Sequence, residues 1–197
     1  MSEQVFRFRG CDNLYIAEVT EDSIDAITYG SPIKLAPLAE VGKTTASDSG
    51  TEYGDNKPLI VINSEGPDEI SLSVFGISLK NLSIILGKTF DEQKGMYIDN
   101  ARETKYFALG YREKLTNGKF RYVWRFKGVF SIPDEGAATE NDGVESTGQE
   151  VSYTGIMTTH EFTNGGSAKG IIVDTQYEGA NVTDFFTAVV TPDTQTA

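Results

Sequence analysis

Ala108-Leu109-Gly110-Tyr111-Arg112-Glu113-Lys114-Leu115-Thr116-Asn117-Gly118-Lys119-Phe120-Arg121-Tyr122-Val123-Trp124-Arg125-Phe126-Lys127-Gly128-Val129-Phe130 is the stretch whose reading decides the fold. Aromatic and aliphatic residues alternate with cations on both sides of Asn117-Gly118, a pair favoured in two-residue turns because both positions take positive φ there. The pattern predicts a β hairpin over 105–130, with Thr116 opposite Lys119. In that register Leu115 lies beside Phe120, Tyr111 beside Trp124, Leu109 beside Phe126 and Phe107 beside Gly128. Tyr111, Trp124 and Phe126 then share one core face. The other face carries Arg112, Lys114, Lys119, Arg121, Arg125 and Lys127.

Working outward, strands are expected over 14–20, 27–35 (bent at Pro32), 59–62, 69–75 and 151–159. Leu79, Leu82, Ile85 and Leu86 have helical spacing and precede Gly87, predicting a short helix over 78–87. A second short helix is expected near 182–189, with Asn181 as cap, Asp184 in its first turn and Phe185, Phe186 and Val189 on its apolar face. Residues 38–57 are rich in Gly, Ser, Thr, Asp and Asn, and 131–150 are acidic throughout. Both are expected to be long polar loops, mobile in a free subunit. The end of the sequence, 191–197, is expected to be loose. A single domain over 1–197 follows, mainly β, of sandwich or barrel type with one or two short flanking helices.

The totals narrow the function. The chain has 197 residues and a net charge of −12, with one Cys, one His and one Trp. The charge is uneven: −6 over residues 1–66, +4 over 67–130 and −10 over 131–197. An acidic protein repels phosphate, so gripping nucleic acid is not expected. A basic middle between acidic flanks suits a subunit that offers both signs to copies of itself. The start, Met1-Ser2-Glu3-Gln4, has neither a basic run nor an apolar one, so no secretory signal is expected. No stretch approaches the roughly 20 apolar residues of a membrane span.

Catalytic chemistry finds few candidates. Cys11 has no second cysteine for an intrachain disulfide. His160, the one histidine, stands between Thr159 and Glu161 in no recognisable nucleophile context. Zinc needs clustered Cys and His. Asp134, Glu135, Glu140, Asp142 and Glu145 lack the alternate spacing of a calcium loop. Gly42-Lys43-Thr44 has only the last three residues of a phosphate loop. No enzyme, metal or cofactor is expected.

The 108–130 hairpin resembles the hallmark stretch of the major tail proteins of non-contractile, long-tailed phages of Gram-positive bacteria. In that family a Gly-Tyr strand turns into a Gly-Lys-x-Arg-Tyr-Val-Trp strand, followed by a Pro/Asp/Glu-containing loop, here 131–150. Tyr29-Gly30, Tyr53-Gly54-Asp55-Asn56, the helix ending at Gly87 and the Phe-Phe segment at 184–189 fall in matching order. The resemblance implies a β-sandwich or barrel that polymerises as stacked six-membered rings into a tail tube. Such a tube encloses a tape-measure protein and conducts DNA without binding it specifically, and it is assembled in the host bacterial cytoplasm. On this expectation Arg112, Lys114, Lys119, Arg121, Arg125 and Lys127 meet Asp134, Glu135, Glu140, Asp142, Glu145 and Glu150 of neighbouring subunits. The alternative reading is a β-sandwich surface or adhesion module of a phage or cell envelope. The cationic face also reads as a merely solvated one, and nucleic-acid binding is disfavoured because the aromatics point away from the cations.

Overall fold

The computed structural model describes residues 5–134 and 148–195. It is mainly β, antiparallel and sandwich-like. In chain order the elements are β1 (Phe8–Asp22), β2 (Ile27–Tyr29), β3 (Ile33–Lys34), β4 (Leu38–Gly54), β5 (Lys57–Val74) and α1 (Leu79–Leu86). They continue with β6 (Thr89–Asp91), β7 (Met96–Ile98), β8 (Phe107–Leu115), β9 (Phe120–Phe130), β10 (Gln149–Ile156) and β11 (Gly170–Asp174). The main sheet runs β2-β1-β8-β9-β10-β5-β4, with β11 added to β9 and β3 to β1, and β6-β7 form a small separate ribbon.

The sheet curls. Leu14 and Ile16 of β1 share a core with Ile70, Leu72 and Val74 of β5, although those strands lie far apart along the sheet order. Cys11 Sγ donates to Ala39 O at 3.6 Å where the two ends of the sheet approach. Leu82, Ile85 and Leu86 of α1 plug the same core. The helix starts at Ser78, whose Oγ accepts from Asn81 N at 3.2 Å, and stops at Gly87, whose φ of 60° is left-handed. Both ends therefore follow from capping chemistry.

The β8–β9 hairpin corrects the expected register. Its loop has three residues: Leu115 N donates to Lys119 O at 2.9 Å and Gly118 N donates to Leu115 O at 3.2 Å. Only Gly118 of the three has positive φ, at 80°. This is a type I turn closed by a left-handed glycine, the usual three-residue hairpin. Asn117 instead accepts from Lys119 N at 3.1 Å and donates to Gln176 Oε1 at 2.8 Å. One extra loop residue moves β9 by one place, so Tyr111 faces Val123, Gly110 faces Trp124 and Leu109 faces Arg125, until a bulge between Leu109 and Phe107 restores the expected pair of Phe107 with Gly128. A one-residue shift exchanges the faces of the strand. Tyr111 thus joins the core inside the curled sheet, while Trp124 and Phe126 face a second core with Phe162, Val173, Phe185 and Val189. All three predicted core residues are buried, on two faces instead of one.

A turn prediction follows from this geometry. Gly118→Ala is expected to lower stability by about 1–2 kcal/mol, the penalty for a side chain in the left-handed region. Asn117→Pro is expected to do more damage, because proline drives Thr116 out of the helical region that position requires. Urea midpoints for the two variants check both outcomes.

Residues 38–57 are not a loop. They form all of β4 and the start of β5, joined at Asp55-Asn56, with φ of 51° and 62°. That is the two-residue primed turn expected at Asn117-Gly118, found at the tip of another hairpin. The strands expected at 59–62 and 69–75 are one continuous strand, β5. The second helix is also absent: 182–189 is a run of turns, with Thr183 N donating to Asn181 Oδ1 at 3.1 Å. Asp184 sits at φ 56°, which interrupts helical geometry there. The segment from 191 is tied down as far as 195. Thr191 is buried, and Asp193 Oδ1 accepts from Thr163 N at 3.0 Å.

Candidate functional site

The most unusual surface is the outer half of the β4–β5 ribbon. Ser47 to Tyr53 and Lys57 to Glu65 are exposed at every position. Two antiparallel strands stand there as an arm, paired with each other from Ser47↔Glu65 to Gly54↔Lys57. Among the described residues no third strand pairs with them, so both of its edges carry open backbone donors and acceptors. The arm also carries an aliphatic run: Leu59 is 68% exposed, Ile60 54%, Val61 61% and Ile62 54%, with Tyr53 at 72% beside the tip. An isolated two-stranded ribbon is marginally stable in water, and a long apolar edge is a template for pairing with another chain.

The predicted cations do not form one face. Arg112 holds Asp12 of β1 with Nε and Nη2, each at 2.7 Å, and its guanidinium lies 4.5 Å from the centre of the Phe120 ring. Arg121 donates to Asp174 at 2.7 Å and lies over Phe6 at 4.8 Å. Arg125 is 9% exposed and points to Asp68 of β5 at 3.5 Å. Lys127 donates to Asp22 at 2.5 Å. Each of these four is neutralised within its own chain. Lys114 and Lys119 are exposed and have no ion-pair partner among the described residues. Of the expected acidic partners, Asp134 is exposed just after β9 and Glu150 is exposed on β10. Glu135, Glu140, Asp142 and Glu145 lie outside the described residues.

The internal carboxylates have shifted titrations. Burial by itself would raise Asp68, but the Thr45 hydroxyl, Lys43 and Arg125 outweigh it and hold its pKa below the ordinary value. Burial likewise opposes, and Lys127 with the Thr159 and His160 amides reverses, the shift at Asp22. Arg121 and Gln176 do the same at Asp174. A carboxylate held below its unfolded pKa adds stability that is complete above that value and is lost as pH falls through the folded one. Stability is therefore expected to be flat near neutrality and to drop below about pH 4. Asp22→Asn should flatten part of that drop in urea titrations run across the acid range.

Other chemistry is sparse. His160 Nδ1 lies 3.1 Å from Ile24 O and its ring packs edge-on against Phe162 at 5.1 Å. No group of three metal-binding side chains occurs among the described residues, and no helix among them is long and apolar enough to cross a membrane. Sequence reasoning missed the arm. Its signals were the Asp55-Asn56 pair, both good left-handed formers, and the Leu59-Ile60-Val61-Ile62 run behind it. The chain matches no protein-family model and no curated protein sequence.

Proposed function

We propose that this chain is a structural subunit that polymerises into the tail tube of a long-tailed, non-contractile phage, as stacked and six-membered rings. The observation that carries the reading is the exposed β4–β5 arm with its aliphatic run. Such a surface is out of place on a solitary protein, and its open strand edges fit a second copy of the same ribbon. The hairpin resemblance over 108–130 supports the choice of family. The mechanism is one of geometry and charge. Backbone pairing and apolar burial join the subunits, and a net charge of −12 denies passing DNA the counterion release that would hold it. The tape-measure protein is the enclosed partner during assembly in the host cytoplasm, and the finished site of action is the virion tail.

Negative-stain microscopy of concentrated protein tests this reading, with rings and tubes of constant diameter expected. A field of discrete particles at every concentration would favour the adhesion-module alternative. The role of charge between subunits is tested separately, at the two uncommitted hairpin cations. Lys114→Glu with Lys119→Glu is expected to slow tube growth at low salt and to leave the monomer folded. A single exposed pair is worth about 0–1 kcal/mol and is screened over roughly 10 Å at 0.1 M salt. Light scattering at two ionic strengths reads the effect. Arg125→Glu is unsuitable for this purpose, because it sets a second carboxylate against buried Asp68.

A further inference from the structure

Where the arm leaves the body, one carboxylate gathers three cations. Asp68 is 1% exposed and belongs to β5, opposite Thr45 of β4 and Gly155 of β10. Thr45 Oγ1 donates to it at 2.7 Å, and Lys43 Nζ lies 3.3 Å away. Arg125 approaches from β9 at 3.5 Å. Lys169, just before β11, completes the set at 3.4 Å. Two cations from outside the ribbon, on separate segments of the chain, thus converge on its root.

Lys169 does more than balance charge. Its Nζ donates to Glu65 Oε1 at 2.7 Å and to Gly66 O at 2.5 Å, and both acceptors belong to the arm side of the root. The backbone of Lys169 is itself fixed to the body, since its carbonyl accepts from Phe126 N at 2.9 Å. At the same level the β4–β5 ladder slips between Thr45 and Ser47, a bulge that bends the ribbon and increases its twist. A side-chain carbon at Gly66 would lie 3.1 Å from the Ala46 Cβ, so the strands are tightly apposed at the bend. Beyond it every arm residue up to the tip turn is exposed, apart from half-buried Gly54. A bent, otherwise unsupported ribbon pivots at the bend unless something braces it.

We infer that Lys169 is a positioning residue that clasps the arm at this bend and sets the direction in which it projects. The consequence for polymerisation rests on the tail-tube reading: a fixed arm meets its neighbour at a fixed angle, and ordering it before contact lowers the entropy lost on assembly. The clasp itself is a property of one chain. Removing Lys169 leaves Asp68 still paired with Lys43 and Arg125, so the body keeps its fold.

The test measures arm direction. Spin labels are placed at Ser49→Cys on the arm and Lys80→Cys on α1 in a Cys11→Ser background, diluted with unlabelled protein. Electron–electron distances are then compared among the parental chain, Lys169→Arg and Lys169→Met. A single narrow distance peak is expected for the parent and the arginine variant, with loss of that peak in Lys169→Met at an unchanged circular dichroism spectrum. If Lys169→Met fails to fold, Glu65→Lys, on the exposed arm, sets a like charge against the clasp and is expected to abolish the peak in the same way. A narrow peak retained in Lys169→Met, or in Glu65→Lys where that variant takes its place, or a broad distribution in the parent, overturns the clasp. Negative-stain images of the same samples report on tube formation independently, so a clasp without tubes and tubes without a clasp are told apart.

Discussion

Trp124→Ala is expected to lower the free energy of unfolding by about 3–5 kcal/mol, the range for deleting a large aromatic from a packed core. The indole has no solvent exposure. It packs against Gly110, where an added side-chain carbon would come within 2.8 Å of the ring. Its N–H donates to Phe185 O at 2.9 Å, and Phe186 packs 5.9 Å away, centre to centre. The alanine variant therefore loses ring packing and also leaves the Phe185 carbonyl unpaired in a dry place. Gly110→Ala attacks the same contact from the other strand and is expected to cost about 1–3 kcal/mol through overpacking. Because Trp124 is the only tryptophan, unfolding is followed by far-ultraviolet circular dichroism in urea. A loss below about 1 kcal/mol for Trp124→Ala, within the range of ordinary substitutions, contradicts the two-sided burial of β9.

Ile60→Glu with Ile62→Glu is expected to abolish polymerisation while leaving the subunit folded. Both side chains are 54% exposed, so the free chain gives up little packing, within about 0.5 kcal/mol for surface changes. In an assembled state the arithmetic reverses. Each aliphatic side chain buried between subunits is worth about 1.5–3 kcal/mol, and an unpaired carboxylate in its place adds a desolvation penalty. Repeated at every contact of a ring, such losses remove assembly at working concentrations. Sedimentation velocity and negative-stain grids read the outcome, with thermal unfolding as the control for the fold. Tubes formed by the double variant at the parental concentration rule out the arm as the joining surface.

The parts of the fold legible in the sequence are those set by local chemistry. Gly87 ends α1 because a left-handed residue is needed there, and the alternation in 69–75 and 151–155 marks β5 and β10. The β8–β9 hairpin was legible as a hairpin but not in its register, since Asn117-Gly118 serves two-residue and three-residue turns alike. Parity then assigned Trp124 to the wrong face. The assumption beneath that error was a single buried face, whereas Ala108, Trp124 and Phe126 are covered by an irregular segment whose Phe185 and Val189 read as the apolar face of a helix. The arm was misread for the opposite reason. Ser, Thr and Gly in 42–51 look like a loop because no core demands apolar residues there, yet strand pairing needs only backbone. Of the candidate site, the six cations read as one face in the sequence, but four of them are held apart by separate carboxylates. Their carboxylate partners Asp12, Asp22, Asp68 and Asp174 come from distant strands and left no local trace.

The cover over the outer face of β9 also fixes a timetable for the newborn chain. Trp124 and its acceptor Phe185 are 61 positions apart in sequence. At about 5–20 residues per second, the ribosome leaves roughly 3–12 s between the appearance of the two. During that interval Trp124 lacks its Phe185 cover on a strand pair that is otherwise complete, while Phe126 gains Phe162 earlier. The nascent protein thus passes through a window in which it is adhesive, before its own last segment closes over the ring. Slowing translation between codons 126 and 185 lengthens the window and favours aggregation, and a holdase chaperone bound over that interval shortens its consequences.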